Sequence, residues 1–372
     1  MNLHTSYDNI RSEGGNQKQI FWICEKKHVL QIKQEKEKLI MLNIAVIGLG
    51  QMGTHHARIY ASLPGVKLSA VCEADQDRRE AACREFQCAG YADYHELLAD
   101  PKIDAVSITL PDNMHLDVVK TAVEHQKHIL LEKPIAKELS EGRELYELTK
   151  EYPKVFTVGH LLRFDPRFCA VKEAIENKEL GDLIHLYCRR NSPITGPMRY
   201  IGASDLSMHV MIHDIDYINW FLQSRPVKVY AKSRSVALKQ YGMNDVIYAL
   251  VTYENGVVAC MEACWTLPKT SPTIIDDQME LVGTKGTAYI DACDKGVRLV
   301  TAEHVLYPDS RHWPYVNGAP AGDLKEEISS FVSCIETGKK PVISAYEAYQ
   351  ALCVVDAIER SIKEGREVDV VE

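Results

Sequence analysis

Between Asn43 and Gly159 short apolar runs alternate with amphipathic stretches of helical period. Runs near 43–47, 67–72, 104–109, 128–131 and 155–158 read as buried strands, and segments near 54–62, 76–86, 94–98, 115–125 and 140–150 read as helices, the last with Ser140 as a plausible capped start. Such alternation implies right-handed crossovers and a parallel sheet. After Gly159 the texture changes. A helix over 166–177 leads to the period-2 strand Ile184 to Arg190, a second helix spans about 205–222, and strands follow near 226–236, 245–253, 256–265, 277–283, 286–290 and 297–307. Glu254-Asn255-Gly256 and Gly283-Thr284-Lys285-Gly286 supply hairpin turns. Helices near 323–336 and 345–364 close the chain, which predicts a second domain of α+β type with a large, mostly antiparallel open sheet.

The first strand runs into Gly48-Leu49-Gly50-Gln51-Met52-Gly53, and a second strand ends at Glu73. Gly48 permits a tight turn, Gly50 lets the backbone approach a pyrophosphate, and Gly53 allows close packing of helix on strand. The helix start presents unpaired N–H groups to an anion. A carboxylate at Glu73 can accept hydrogen bonds from both ribose hydroxyls and would repel a 2′-phosphate, and Ala74 offers no cation, so NAD is expected rather than NADP. The predicted division is a Rossmann dinucleotide-binding domain over 41–160 and a substrate-binding and oligomerisation domain over 161–372, whose last helix has room to pack back on the first domain.

Bulk properties narrow the class. A chain of 372 residues with 46% hydrophobic content can bury two cores. A net charge of −9 argues against a nucleic-acid surface, which needs a basic stripe. Eleven cysteines without paired spacing look like reduced thiols of a cytoplasmic protein. Cys260 and Cys264 share a strand face yet stand about 13 Å apart, too far for a bond or a shared zinc ion. No apolar run approaches the roughly 20 residues that cross a bilayer. Residues 1–40 read as an extension outside the fold: the patch Ile20 to Cys24 is too short for a signal core and is followed by Glu25, Lys26 and Lys27. Translation starting at Met41 is one explanation, and an amphipathic helix through Lys36 packing on a neighbour is the other.

Candidate chemistry gathers where strands end. Leu110-Pro111-Asp112-Asn113-Met114-His115 follows the third strand at the carboxyl edge, where such sheets bind ligands. Alone it is an ordinary proline turn. Glu132-Lys133-Pro134 ends the fourth strand, so Lys133 points to the nicotinamide crevice. Desolvation and the cofactor's positive ring would depress its pKa and let it exchange a proton with a substrate hydroxyl. The plain alternative is a solvated lysine paired with Glu132.

The glycine loop, Glu132-Lys133-Pro134 and His213-Asp214-Ile215-Asp216 together resemble the Gfo/Idh/MocA oxidoreductase family over about residues 41–370. That resemblance implies NAD- or NADP-dependent oxidation of a sugar or cyclitol hydroxyl, and a homodimer or homotetramer formed through the open sheet. It makes Lys133 the lysine at the reacting hydroxyl and nicotinamide ribose, with Glu132 beside it, and His213 the general base or proton relay. It also implies cofactor contacts from Gly48, Gly50, Gln51, Met52, Gly53, Glu73, Leu110, Pro111, Asn113, His115, Glu132 and Arg163. One departure stands out. Four positions before the histidine the commoner pattern has aspartate, and here His209 occupies it, which moves the expected proton route to Lys133, His213 and water.

Arg163, in a segment that resembles the family's RFxP, is either a cofactor and substrate contact or a structural pin forked onto a carboxylate. His160, Arg190 and Asn191 are weaker substrate candidates, and Tyr200 follows them in an irregular loop. Arg189, like most arginines at strand ends, can equally be solvated. Trp265 and Trp313 could stack on a sugar face but fit core or interface packing better. His209 and His213, with Asp214 or Asp216, suit a divalent metal by spacing, yet none is expected, because family members generally need none and no Glu follows His209 to complete a zinc-protease signature. Two other functions stay open: redox-neutral cleavage of a glycoside with retained NAD, and a non-catalytic NAD-binding protein.

Overall fold

The computed structural model describes residues 41–199, 201–202, 204–292, 296–303 and 305–372, and Asn43–Glu372 form one compact unit. The predicted extension 1–40 and Tyr200 lie outside the described residues.

In the first half, β1 (Leu42–Ile47), β2 (Val66–Cys72), β3 (Ala89–Tyr91), β4 (Ala105–Ile108), β5 (His128–Glu132) and β6 (Phe156–Gly159) form one sheet in the order β3-β2-β1-β4-β5-β6. β1 with β4, β4 with β5, β5 with β6 and β2 with β3 run parallel. Helices α1 (Gln51–Ser62), α2 (Gln76–Phe86), α3 (Tyr94–Ala99), α4 (His115–Glu124) and α5 (Leu139–Thr149) make the crossovers. Ile44, Ala45, Val46, Val106, Leu130 and Leu131 are fully buried, as expected of parallel strands covered on both faces. The strand order reverses between β1 and β4. A cleft therefore opens at their carboxyl ends, flanked by the glycine loop and by the Leu110 loop.

After α6 (Pro166–Glu176) the second sheet runs β12-β11-β7-β10-β9-β8-β17, from β7 (Leu183–Pro193), β8 (Pro226–Arg234), β9 (Val246–Tyr253), β10 (Val258–Leu267), β11 (Asp276–Gly283), β12 (Thr287–Asp291) and β17 (Val368–Asp369). It is antiparallel except for the β7 and β10 pair. Alternation is regular: Ala259, Met261, Ala263 and Trp265 face the core, and Val258, Cys260, Glu262 and Cys264 face outward. The inner face carries α7 (Ile212–Leu222) and α9 (Ala345–Glu364), while α8 (Asp323–Thr337) reaches the first domain. α9 also packs on α5: a side chain on Gly142 would meet Leu352 at 2.5 Å, and Arg143 donates to the Tyr349 hydroxyl at 3.1 Å.

Several elements differ from expectation for local reasons. β3 went unread because Ala89-Gly90-Tyr91 is no apolar run. α5 starts after Glu138, whose amide donates to Glu141, so Ser140 lies inside the helix. The expected helix over 205–222 opens with a π turn at Ser207–Met211. The expected strand 297–307 yields only the ribbon β13 (Leu299–Val300) with β14 (Val305–Leu306), since Leu299 and Val300 are exposed and have no sheet to join. A second ribbon, β15 (Tyr315–Val316) with β16 (Ala319–Pro320), belongs to a loop that folds back over α1, where Trp313 stacks on His55 at 5.1 Å between ring centroids.

Candidate active site

The glycine loop shows why each glycine is needed. Gly48 has φ +94°, and its amide donates to the Cys72 carbonyl at 2.8 Å. A Cβ on Gly53 would stand 1.9 Å from the Gly48 carbonyl oxygen and 2.5 Å from Thr109 Oγ1, so only glycine lets α1 lie this close. A Cβ on Gly50 would meet nothing within 4 Å, which leaves that backbone open to a ligand at the helix N-terminus. The two positions therefore predict different failures. Gly53→Ala should destabilise the fold, whereas Gly50→Val should keep the Tm and weaken NAD binding by at least about tenfold, or roughly 1.4 kcal/mol, in calorimetry.

Glu73 is almost fully buried, and its carboxylate accepts from the Leu49 amide at 2.9 Å and the Asp75 amide at 3.0 Å. It is thereby fixed beside the glycine loop, where a ribose would lie. Position 74 supplies no cation, as read, but Arg78 reaches Glu73 Oε1 at 3.3 Å from the first turn of α2. Gln51 and Met52 form the first turn of α1.

His115 plays a different part from the cofactor contact expected of it. Its ring is buried between the Pro134 carbonyl, 2.9 Å from Nδ1, and the Leu110 carbonyl, 3.0 Å from Nε2. It fastens the loop after β4 to the turn after β5, leaving Pro111 and Asn113 exposed at the cleft edge. Lys133 sits on that turn, before a cis peptide to Pro134.

Lys133 is half-buried, and Nζ donates to the His209 main-chain carbonyl at 3.2 Å. That carbonyl belongs to the π turn, a local widening often found at functional sites. Burial pulls the ammonium below the usual lysine range and Arg190 adds to this, while Glu132 and Asp112 oppose. Burial also holds His213 well below the ordinary imidazole value, and Lys133 and then Arg190 push it further. His209 moves the same way, through burial and Lys133. The structure thus brings Lys133 from the first domain together with His209 and His213 from the second.

Glu132 does not pair with the lysine ammonium in a solvated bridge. It is buried, with Oε1 3.1 Å from His56 Nε2 and Oε2 accepting from the Lys133 amide at 3.1 Å. His56 continues through Nδ1 to Ser107 Oγ at 2.8 Å, and the Tyr60 hydroxyl joins Ser107 at 3.1 Å. Burial pushes the Glu132 carboxyl up, but His56 and Lys133 outweigh it and leave the group below its ordinary value. Glu132 is accordingly a support behind Lys133 rather than a cofactor contact.

Further candidates are corrected. Arg163 is 2% exposed and forks onto Asp216 at 2.9 and 2.8 Å, with Nη1 on Glu347 at 2.6 Å; its donors are committed, and it is the structural pin. Arg190 is clamped by Asp214 at 2.8 Å and Asp277 at 3.0 Å, so it acts on the site through charge rather than by touching substrate. Asn191 donates to Glu262 at 2.9 Å, and alternation puts it on the other face of the sheet from Arg190. Arg189 is bound to Asp276 at 3.0 Å rather than simply solvated. His160 is buried behind the site, with Nδ1 3.8 Å from Asp216. Trp265 packs in the core and donates to the Asn244 carbonyl. Among the described residues no cluster of three or more His, Cys, Asp or Glu could hold a metal ion.

His56 was not anticipated as a site residue, because nothing in the run His55 to Ile59 marks which histidine turns inward. Glu327 was not anticipated either, although its signal was present: a glutamate on the buried stripe Leu324, Ile328, Phe331 of α8.

A dinucleotide cradle facing an ammonium and imidazoles from a second domain defines a pyridine-nucleotide oxidoreductase. Residues 42–160 match the description "Oxidoreductase family, NAD-binding Rossmann fold" and residues 168–289 match the family's C-terminal domain, and the chain belongs to the Gfo/Idh/MocA family. Its cofactor is NAD. It is similar to scyllo-inositol 2-dehydrogenase (NAD(+)) of Bacillus subtilis, 29% identical over 88% of this chain and 95% of that one. It is also similar to myo-inositol 2-dehydrogenase of Thermotoga maritima, 27% identical over 89% and 99%. Scyllo-inositol dehydrogenase from Lactobacillus casei, solved with NAD(H) and scyllo-inositol, has the same fold, with a TM-score of 0.78 at 22% identity over 89% and 100% of the chains.

Proposed function

We propose that this enzyme oxidises a secondary hydroxyl of an inositol-like cyclitol or a related sugar, with Lys133 and His213 at the reacting hydroxyl. The observation that carries the reading is the meeting of Lys133 with the π turn of the second domain at the cofactor cleft. NAD, when bound, supplies the hydride acceptor. The protein's own residues handle the proton. His213, held well below the ordinary imidazole value, is neutral and can accept a hydrogen bond from the hydroxyl, while Lys133, whose ammonium burial makes easier to deprotonate, can exchange a proton with it. His209 puts an imidazole where relatives by resemblance carry a carboxylate, so no fixed negative charge assists from that position.

An activity screen of inositols, free aldoses, nucleotide sugars and glycosides with NAD tests the reading. NADH formation on a cyclitol or sugar is the expected result. Cleavage of a glycoside with no NADH released would replace it with the redox-neutral reaction, and NAD binding without turnover of any class would make the protein a binder.

The same reading places the enzyme in a reducing, cytoplasmic compartment as a homodimer or homotetramer, without nucleic-acid or membrane partners. In its support, the described cysteines are free, and among the described residues no helix is long and apolar enough to cross a membrane. The outer face of the second sheet exposes Tyr230, Tyr248, Leu250 and Val258 on adjoining strands, an apolar patch suited to a second copy. Light scattering should give an oligomer mass that falls to the monomer value in the Tyr248→Lys, Leu250→Lys double variant. An unchanged mass in that variant would put the interface elsewhere.

A further inference from the structure

Behind Lys133 stands a second acid for which the proposed reaction does not account. Glu327 lies on the buried stripe of α8, is 3% exposed, and neither carboxyl oxygen has a hydrogen-bond partner among the described residues. It faces Glu132 across the end of β6: a Cβ placed on Gly159 would be 3.3 Å from Glu327 Oε1 and 3.5 Å from Glu132 Oε1. The two buried carboxyl groups therefore both approach the side of Gly159 where a larger residue would carry its Cβ.

Two buried carboxyl groups near one another disfavour each other's ionised form. Which one keeps the proton follows from their partners. Glu132 has the His56 ring, the Lys133 amide and the Lys133 charge. The groups acting on Glu327 are Glu132 from β5, Asp323 on its own helix and Asp216 from α7, all acidic, and it acts in turn on the Tyr60 phenol of α1. No cation is among them. Burial first, then these three acids, drive its carboxyl well above the ordinary range.

We propose that Glu327 is a positioning residue of the reaction: it remains an uncharged acid beside Glu132, so that one negative charge rather than two stands behind Lys133. The consequence is kinetic. A second carboxylate there would hold the lysine proton more tightly and oppose the lowering that burial gives Lys133, whereas the neutral acid fills the space without that effect. The role rests on the proposed part of Lys133 in turnover, but the charge state of Glu327 does not.

Infrared difference spectroscopy on the full-length enzyme separates the two. The wild type at neutral pH should show the carbonyl stretch of a protonated carboxylic acid, and E327Q should lack that band. In E132Q, where the like charge is gone, the band should titrate away at least about one pH unit lower. In turnover, E327Q should keep the midpoint of kcat/KM against pH, because a neutral amide replaces a neutral acid. No wild-type band, a band that survives E327Q, or a midpoint that falls in E327Q would each overturn the proposal. If no substrate is turned over, the proposed function fails while the infrared result still decides the state of Glu327.

Discussion

Lys133→Ala should lower kcat/KM for alcohol oxidation by about 10²- to 10⁴-fold, the usual contribution of a placed proton-transfer group. NAD affinity should stay nearly intact, since the glycine loop and Glu73 make no contact that depends on the lysine side chain. The pH dependence carries the sign of the argument. An ammonium must lose its proton before it can accept one from the hydroxyl, so wild-type kcat/KM for oxidation should rise with pH through a midpoint below the usual lysine range, the direction in which burial moves it. His213 feels the lysine charge too, because after burial Lys133 is the largest influence lowering it. In the alanine variant that repulsion is gone, so the residual activity should follow an imidazole whose midpoint has moved up toward the ordinary histidine value. Full turnover in Lys133→Ala would assign the proton to His213 alone.

The contrast between Lys133 and Arg163 shows what a one-dimensional reading can hold. The placement of Lys133 was legible because strand end, charge and following proline are local, and the crevice at the switch point is a rule of the fold. The glycine loop was legible for the same reason: Gly48, Gly50 and Gly53 act within a few residues of one another. Arg163 was ambiguous because its partners, Asp216 and Glu347, lie 53 and 184 residues away. Only packing brings them together. His56, Glu132 and Glu327 form the support behind the lysine from three different elements; Glu132 was marked by its place before Lys133 and Pro134, whereas only packing shows which histidine of α1 turns inward and what the buried Glu327 faces. The π turn is a further case: the helix was read as continuous through 205–222, and the widening at Ser207–Met211 lies where the chain meets the first domain. Most strands of the second sheet were legible from alternation, since one face is buried. The 297–307 segment was misread because alternating residues without a neighbouring strand have no ladder to complete.

Arg163→Ala is expected to be the most destabilising of these substitutions, at about 3 to 5 kcal/mol, because it strips the carboxyl of Asp216 of its forked partner at 1% exposure. Glu347 is less affected, since it also takes part in the capping box of α9 with Ser344. Thermal and urea melts measure the loss. Arg163→Lys should recover only part of it, for a lysine cannot fork onto both Asp216 oxygens. The double variant Arg163→Met, Asp216→Leu should recover more than the lysine, because replacing a buried ion pair by apolar groups of similar size removes the stranded charge. Kinetics then separate the pin from a ligand contact. The guanidinium ties the turn after β6 to α7 and α9, the elements that carry and back His213, so the folded fraction of Arg163→Lys should lose kcat through misplacement of the imidazole while KM for NAD is unchanged. A variant that kept its Tm but bound substrate or NAD more weakly would instead show the arginine reaching into the cleft, and would return it to the binding residues.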